Sequence, residues 1–154
     1  MSKWEGKISA QVGNTEAEQV WPLLADFCNF HKWFPMDTCR QVDGEAGVIR
    51  YCEGTLRDEG EERRVWAKEK LLVLDPIQRY VTYEVVDNNM GFKSYVATMK
   101  VLPKLKDEEG GCKIEWSFVC DLVEGWTYEA LLSYFHSSLN YMVNKMEQAF
   151  SLTH

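Results

Sequence analysis

From Cys39 to Val123 the chain reads as six successive strand-like segments whose connections are too short for crossovers, and this restricts its possible folds more than any other feature. The segments run near 39–44, 47–54, 62–75, 78–87, 93–103 and 111–123. Asp43-Gly44, Asp75-Pro76, Asn88-Asn89 and the run Asp107-Glu108-Glu109-Gly110-Gly111 separate them, all of it turn or hairpin chemistry. Strands joined this closely pair antiparallel, as a meander. Near the N-terminus, Trp4, Gly6, Ile8, Ala10 and Val12 alternate with Glu5, Lys7, Ser9 and Gln11, which adds a seventh strand with one buried face. After Gly125, Thr127 is placed to cap a helix running to Leu152. The apolar residues Leu131, Phe135, Leu139, Met142, Met146 and Ala149 recur along it every three or four positions. At roughly 25 residues it is about 38 Å long. A curved sheet closing on such a helix buries both apolar faces, so the expected class is α+β.

Between the first two strands, Thr15-Glu16-Ala17-Glu18 has the spacing of a capping box and predicts a helix reaching Phe27, kinked or shortened by Pro22. A short second helix is expected over Asn29 to Trp33, ended before Pro35. The 154 residues contain no internal repeat and fit one domain over 1–154. The acidic run before Gly111 reads as a solvated hairpin tip.

The net charge of -7 argues against a nucleic-acid partner, because a phosphate backbone is bound by clustered Lys and Arg. Five cysteines without CxxC spacing or a His-rich partner motif disfavour both a disulfide framework and a metal site. His31, His136 and His154 show no spacing to one another or to a nucleophile that suggests a triad. MSKWEGK lacks the roughly 7 to 15 residue apolar run of a secretory leader, and no stretch approaches the roughly 18 apolar residues of a membrane span. A reduced, cytoplasmic protein without cofactor is the expectation. Six Trp, seven Tyr and seven Phe suit a lined cavity as well as a core.

Strand parity gives the candidate wall. Val65, Ala67, Glu69, Leu71 and Val73 share one face, and Val48, Arg50 and Cys52 another. Val81, Tyr83 and Val85 follow, then Tyr95, Ala97, Met99 and Val101, then Cys112, Ile114, Trp116, Phe118 and Cys120. Glu69 and Arg50 are charges among apolar neighbours, and they need each other or a ligand, because an unpaired buried charge costs several kcal/mol on the order of its desolvation penalty. Parity does not separate an ion pair that only sets register from a proton-transferring one. Tyr83 and Tyr95 read first as core phenols, with ligand contact the alternative, Trp116 reads as wall, and Cys52 reads first as a small buried hydrophobe, with an activated thiolate the alternative. Mostly apolar lining with a few polar groups is the make-up of a small-molecule cavity.

The segments KWEGKI, NTEAEQVWPLLADFCNFHKWFP, VIRYCEG, VWAKEKLLVLD, SYVATMKV and IEWSFVCDLVEGWT resemble the plant lachrymatory factor synthase group, within the Bet v 1-like, START-related or polyketide cyclase-like superfamily. The resemblance covers nearly the whole chain. It implies a helix-grip fold: a seven-stranded antiparallel curved sheet wrapped around a long C-terminal helix, with short helices after the first strand. It also implies a cavity in which an arginine and a glutamate, here Arg50 and Glu69, move a proton that turns an alkenyl sulfenic acid into a thial S-oxide. Tyr83 and Tyr95 fall on its pocket tyrosines. The implied ligand is a small hydrophobic or weakly polar metabolite, with Trp116, Val65 and Phe118 around it. The connection LRDEGEERR is longer and more charged than in that group, and Phe30, Trp33 and Met36 form a bulky rim particular to this chain. Abscisic acid receptors are similar around EKLLVLD, but their gate and latch are replaced by CEGTLRDEG and DNNMGFKSY, so hormone-triggered phosphatase binding is not expected.

Overall fold

In a computed structural model, the structure describes residues 3–151 apart from 43, 45, 59 and 105–110. The chain order is β1 (Lys3–Gly13), α1 (Ala17–Ala25), a 3-10 helix (Phe27–Lys32), β2 (Thr38–Gln41), β3 (Ile49–Asp58), β4 (Glu61–Asp75), β5 (Tyr80–Asn88), β6 (Val96–Pro103), β7 (Gly111–Asp121) and α2 (Tyr128–Ser151). The seven strands form one sheet in the order β1-β7-β6-β5-β4-β3-β2, every neighbour antiparallel. The meander expected from the short connections is therefore present. The helical segment after β1 carries the chain from one edge of the sheet to the other. The acidic run Asp107–Gly110 lies outside the described residues.

α2 is amphipathic at helical spacing, with Leu131, Phe135, Leu139, Met142 and Met146 buried and Ser138 and Val143 joining them. Thr127 Oγ1 accepts from Ala130 N at 3.1 Å, so the expected cap is formed. The first turn of the helix lies against β1, where Tyr128 Oη donates to the Glu5 carbonyl at 2.6 Å. Gly6 makes this approach possible, since a Cβ there would sit 2.9 Å from both the Phe118 ring and Tyr128 Oη.

Two local expectations shift. The helix start moves one residue on: Gln19 Oε1 accepts from Glu16 N at 2.9 Å, while the Thr15 hydroxyl turns back to the Gly13 carbonyl at 3.1 Å. Asn14 stands in the left-handed region at φ 54 and turns the chain so that Glu16 becomes the cap. α1 then ends at Ala25, three residues beyond Pro22. The parity of β4 also fails at Val73. Leu71 pairs with Tyr83 but Val73 pairs with Thr82, so Leu72 is an extra residue that flips the pattern. Val73 is turned outward as a result, and Leu72 and Leu74 beside it are exposed as well.

Candidate functional site

β3 and β4 pair with Arg50 directly opposite Glu69. Arg50 Nε donates to Glu69 Oε1 at 2.7 Å, and Arg50 Nη1 donates to the Phe27 carbonyl at 3.0 Å. The guanidinium carbon lies 3.8 Å from the centre of the Phe27 ring, 4.4 Å from Phe30 and 4.8 Å from Tyr83. Arg50 is only 2% exposed. Burial, the largest single influence, opposes its charge, but the Glu69 carboxylate together with Cys52, Tyr83 and Cys39 outweighs it and holds the guanidinium even more firmly protonated than usual. The three rings add a favourable cation–π environment.

A cavity of about 100 Å³ lies under this pair. Glu69 is part of its wall and Arg50 is not: the arginine stands behind, sealed by Phe27, Phe30 and Tyr83. Val65, Tyr83, Tyr95 and Trp116 line it as well, with Cys52, Ala67 and Val85 from the same strands. The 3-10 helix and the segment after it supply Phe30, Phe34, Pro35 and Met36, and α2 supplies Tyr134 and Phe135. Of the expected rim, Phe30 and Met36 are on the wall, whereas Phe34 and Pro35 occupy the place expected for Trp33. Phe118 stands one layer back, stacked on Tyr95 with ring centres 6.1 Å apart and edge-on to Phe135 at 5.0 Å.

Met90 and Phe92, in the connection between β5 and β6, also line the cavity, and strand parity could not place them. Asn88 organises that connection: its Oδ1 accepts from Met90 N at 2.8 Å and Phe92 N at 3.1 Å, while its Nδ2 donates to the Phe92 carbonyl at 2.9 Å. An asparagine side chain mimicking a backbone turn was the available sequence signal.

Tyr83 and Tyr95 are buried, and burial, reinforced for both by the Glu69 charge, pushes their phenols well above the usual range. Both therefore remain hydroxyl donors at neutral pH. The Trp116 N–H lies near enough to Tyr95 to offset part of its shift, yet without hydrogen-bond geometry, and Nε1 is buried with no partner among the described residues. The lining thus carries two carboxylates, Glu69 and Glu53, the second taken up by Tyr51 and Arg64, and N–H or O–H groups on Tyr83, Tyr95, Tyr134, Trp66 and Trp116, on an otherwise apolar wall. No group of three or more His, Cys, Asp or Glu among the described residues is placed to hold a metal ion. No helix among them is long and apolar enough to cross a membrane.

The phenols make an alkaline prediction. A group whose folded pKa is raised contributes stability that is complete below its unfolded value, about 10 for tyrosine, and is lost as pH rises from there through the folded value. The steepest loss is about 1.4 kcal/mol per pH unit for each phenol. Urea unfolding at about pH 9 and about pH 11 should show a smaller drop for Tyr83→Phe/Tyr95→Phe than for the wild type. Equal drops would show that these hydroxyls are not buried acids.

The sheet closed over one long helix, with an apolar cavity at their junction, defines a helix-grip protein of the Bet v 1-like kind. Residues 6–150 match the family described as polyketide cyclase/dehydrase and lipid transport, and the chain belongs to that family. Among solved structures, it is similar to the protein XoxI from Bacillus cereus, with 23% identity and TM-score 0.73 over 100% of this chain and 99% of that one. An uncharacterised protein from Bacillus thuringiensis matches at 22% identity and TM-score 0.73, covering 96% and 98%. Major latex-like protein 151 from Panax ginseng matches at 18% identity and TM-score 0.66, covering 96% and 97%.

Proposed function

We propose that the chain binds a small, largely apolar metabolite bearing an oxygen function and moves a proton on it, with Glu69 as the group that takes and returns the proton. The supporting observation is the asymmetry of the ion pair: Glu69 faces the cavity while Arg50 is sealed behind it. A carboxylate held by one cation on its far side is oriented toward whatever enters. The family description, which includes lipid transport, supports an apolar ligand in general. The phenol hydroxyls of Tyr83 and Tyr95 and the unpartnered Trp116 N–H suit an acceptor oxygen, since a buried donor left unmade costs about 1–3 kcal/mol.

The reaction class is an isomerisation or cyclisation in which no atom is gained or lost. Its finer form is the one implied by the resemblance to plant lachrymatory factor synthases, rearrangement of a sulfenic acid to a thial S-oxide. The small cavity volume supports a substrate of few heavy atoms. A sulfenic acid generated in situ and supplied to the wild-type protein tests this form: thial S-oxide above the protein-free blank is expected, and product equal to the blank overturns it. The wall of aromatic and aliphatic side chains favours a second reading, a carrier that holds the metabolite without changing it. Native mass spectrometry of protein purified from its source separates the two, because a carrier retains unaltered ligand and an isomerase retains product or nothing.

A further inference from the structure

We propose that Cys39 and Cys52 form a peroxide-reactive dithiol in the cavity wall, which a small hydroperoxide oxidises to a cross-strand disulfide. The two cysteines are directly opposite in the β2–β3 pair. The bond from Val42 N to the Ile49 carbonyl fixes the alternation of that ladder and puts Cys39 and Cys52 at a non-hydrogen-bonded position, where side chains approach most closely. Their sulfurs are 3.4 Å apart, with the Cys52 thiol donating to Cys39. Cα atoms at such a position are about 4.5 Å apart, at the short end of the range a disulfide spans, so no strand has to move for the bond to form.

Access and activation are both present. Cys52 belongs to the cavity wall, which extends to the exposed Pro35, so a hydroperoxide small enough for the cavity reaches its sulfur. The Cys52 hydrogen bond holds the Cys39 thiol below its usual range, and the nearby Arg50 charge acts in the same direction. The Cys52 thiol is raised, first because it is the donor and then by burial. Once the pair has lost one proton, passing the remaining one along the Cys52–Cys39 contact to Cys39 leaves the thiolate on Cys52, the sulfur on the cavity wall.

The chemistry balances as follows. The Cys52 thiolate attacks one peroxide oxygen, an S–O bond forms, the O–O bond breaks, and the departing hydroxide or alkoxide takes a proton from the pair. The Cys39 thiolate then attacks the sulfenyl sulfur of Cys52; the S–S bond forms and hydroxide leaves to be protonated. Two thiols and one hydroperoxide give one disulfide, one water, and a second water or an alcohol. Sulfur is oxidised and the peroxide is reduced.

Hydrogen peroxide added stoichiometrically to the folded, reduced protein, followed by intact-mass measurement and peptide mapping, tests the proposal. Loss of two hydrogens, with Cys39 and Cys52 joined and Cys28, Cys112 and Cys120 still alkylatable, is the expected result. In Cys39→Ser both the resolving thiol and the acceptor of the Cys52 proton are gone, so peroxide should leave Cys52 unoxidised on the timescale on which the wild type forms its disulfide. Oxidation that falls first on the less buried Cys28, or a Cys39–Cys52 bond that forms only after denaturant is added, overturns the proposal. The wild-type map decides this even if the serine variant does not fold.

Discussion

Replacing Glu69 with glutamine is expected to lower turnover of a cavity-bound substrate by about 10²–10⁴-fold, the usual contribution of a positioned acid or base, while the protein still folds and still retains ligand. Glutamine keeps the size and the acceptor oxygen of the side chain, so the Arg50 Nε contact of 2.7 Å has a partner in the variant. It cannot take and return a proton. Loss of kcat with unchanged ligand retention separates catalysis from carriage, since a carrier would lose neither. The effect belongs to a step made only in the transition state, so kcat and kcat/KM should fall together. Equal product from wild type and variant would remove Glu69 from the chemistry and leave the pair a structural role. Because Arg50 faces only an uncharged amide in the variant, some destabilisation accompanies the change, and activity is to be compared well below the variant's unfolding temperature.

Much of this arrangement was legible from strand parity, and its failures have local causes. Along β7 the alternation is unbroken, and Cys112, Ile114, Trp116, Phe118 and Cys120 are all buried as the pattern requires. In β4 the extra residue Leu72 breaks the register, and parity has no means of foreseeing a bulge. Parity also assigns a face and not a depth. Trp116 and Phe118 share the inward side of one strand, yet Trp116 touches the cavity and Phe118 lies behind Tyr95. The same limit applied to the central pair. Two inward charges were evident, but the rings that seal Arg50 include Phe27 and Phe30 from the 3-10 helix, a segment with no strand periodicity. The fold itself was more accessible, because seven alternating segments, short turns and one long amphipathic helix leave few ways to bury the apolar faces.

Arg50→Met is expected to lower the unfolding free energy by about 3–5 kcal/mol, the range for breaking a buried ion pair from one side. Methionine approximates the aliphatic stem, so the loss comes from the charge and its bonds. Glu69 would be left without its cation, and the Phe27 carbonyl would lose the Nη1 donor 3.0 Å away. The Glu69 side chain is 15% exposed, so water relieves part of its unpaired charge, which places the expected loss toward the lower end of the range. Arg50→Lys should recover only a fraction, because a single ammonium cannot reproduce the planar fork that reaches a carboxylate and a carbonyl together while stacking on three rings. The double variant Arg50→Met/Glu69→Leu removes both charges and should regain most of the stability, since two apolar groups in a largely apolar site have no desolvation penalty to offset. Urea unfolding with an unchanged m-value provides the measurement. A single substitution costing under about 1 kcal/mol would place the pair in the class of exposed ion pairs and contradict the sealing described for Arg50. Recovery of stability in the double variant with no recovery of turnover would show that the fold tolerates an apolar pair at these positions and that the charges are retained for what enters the cavity.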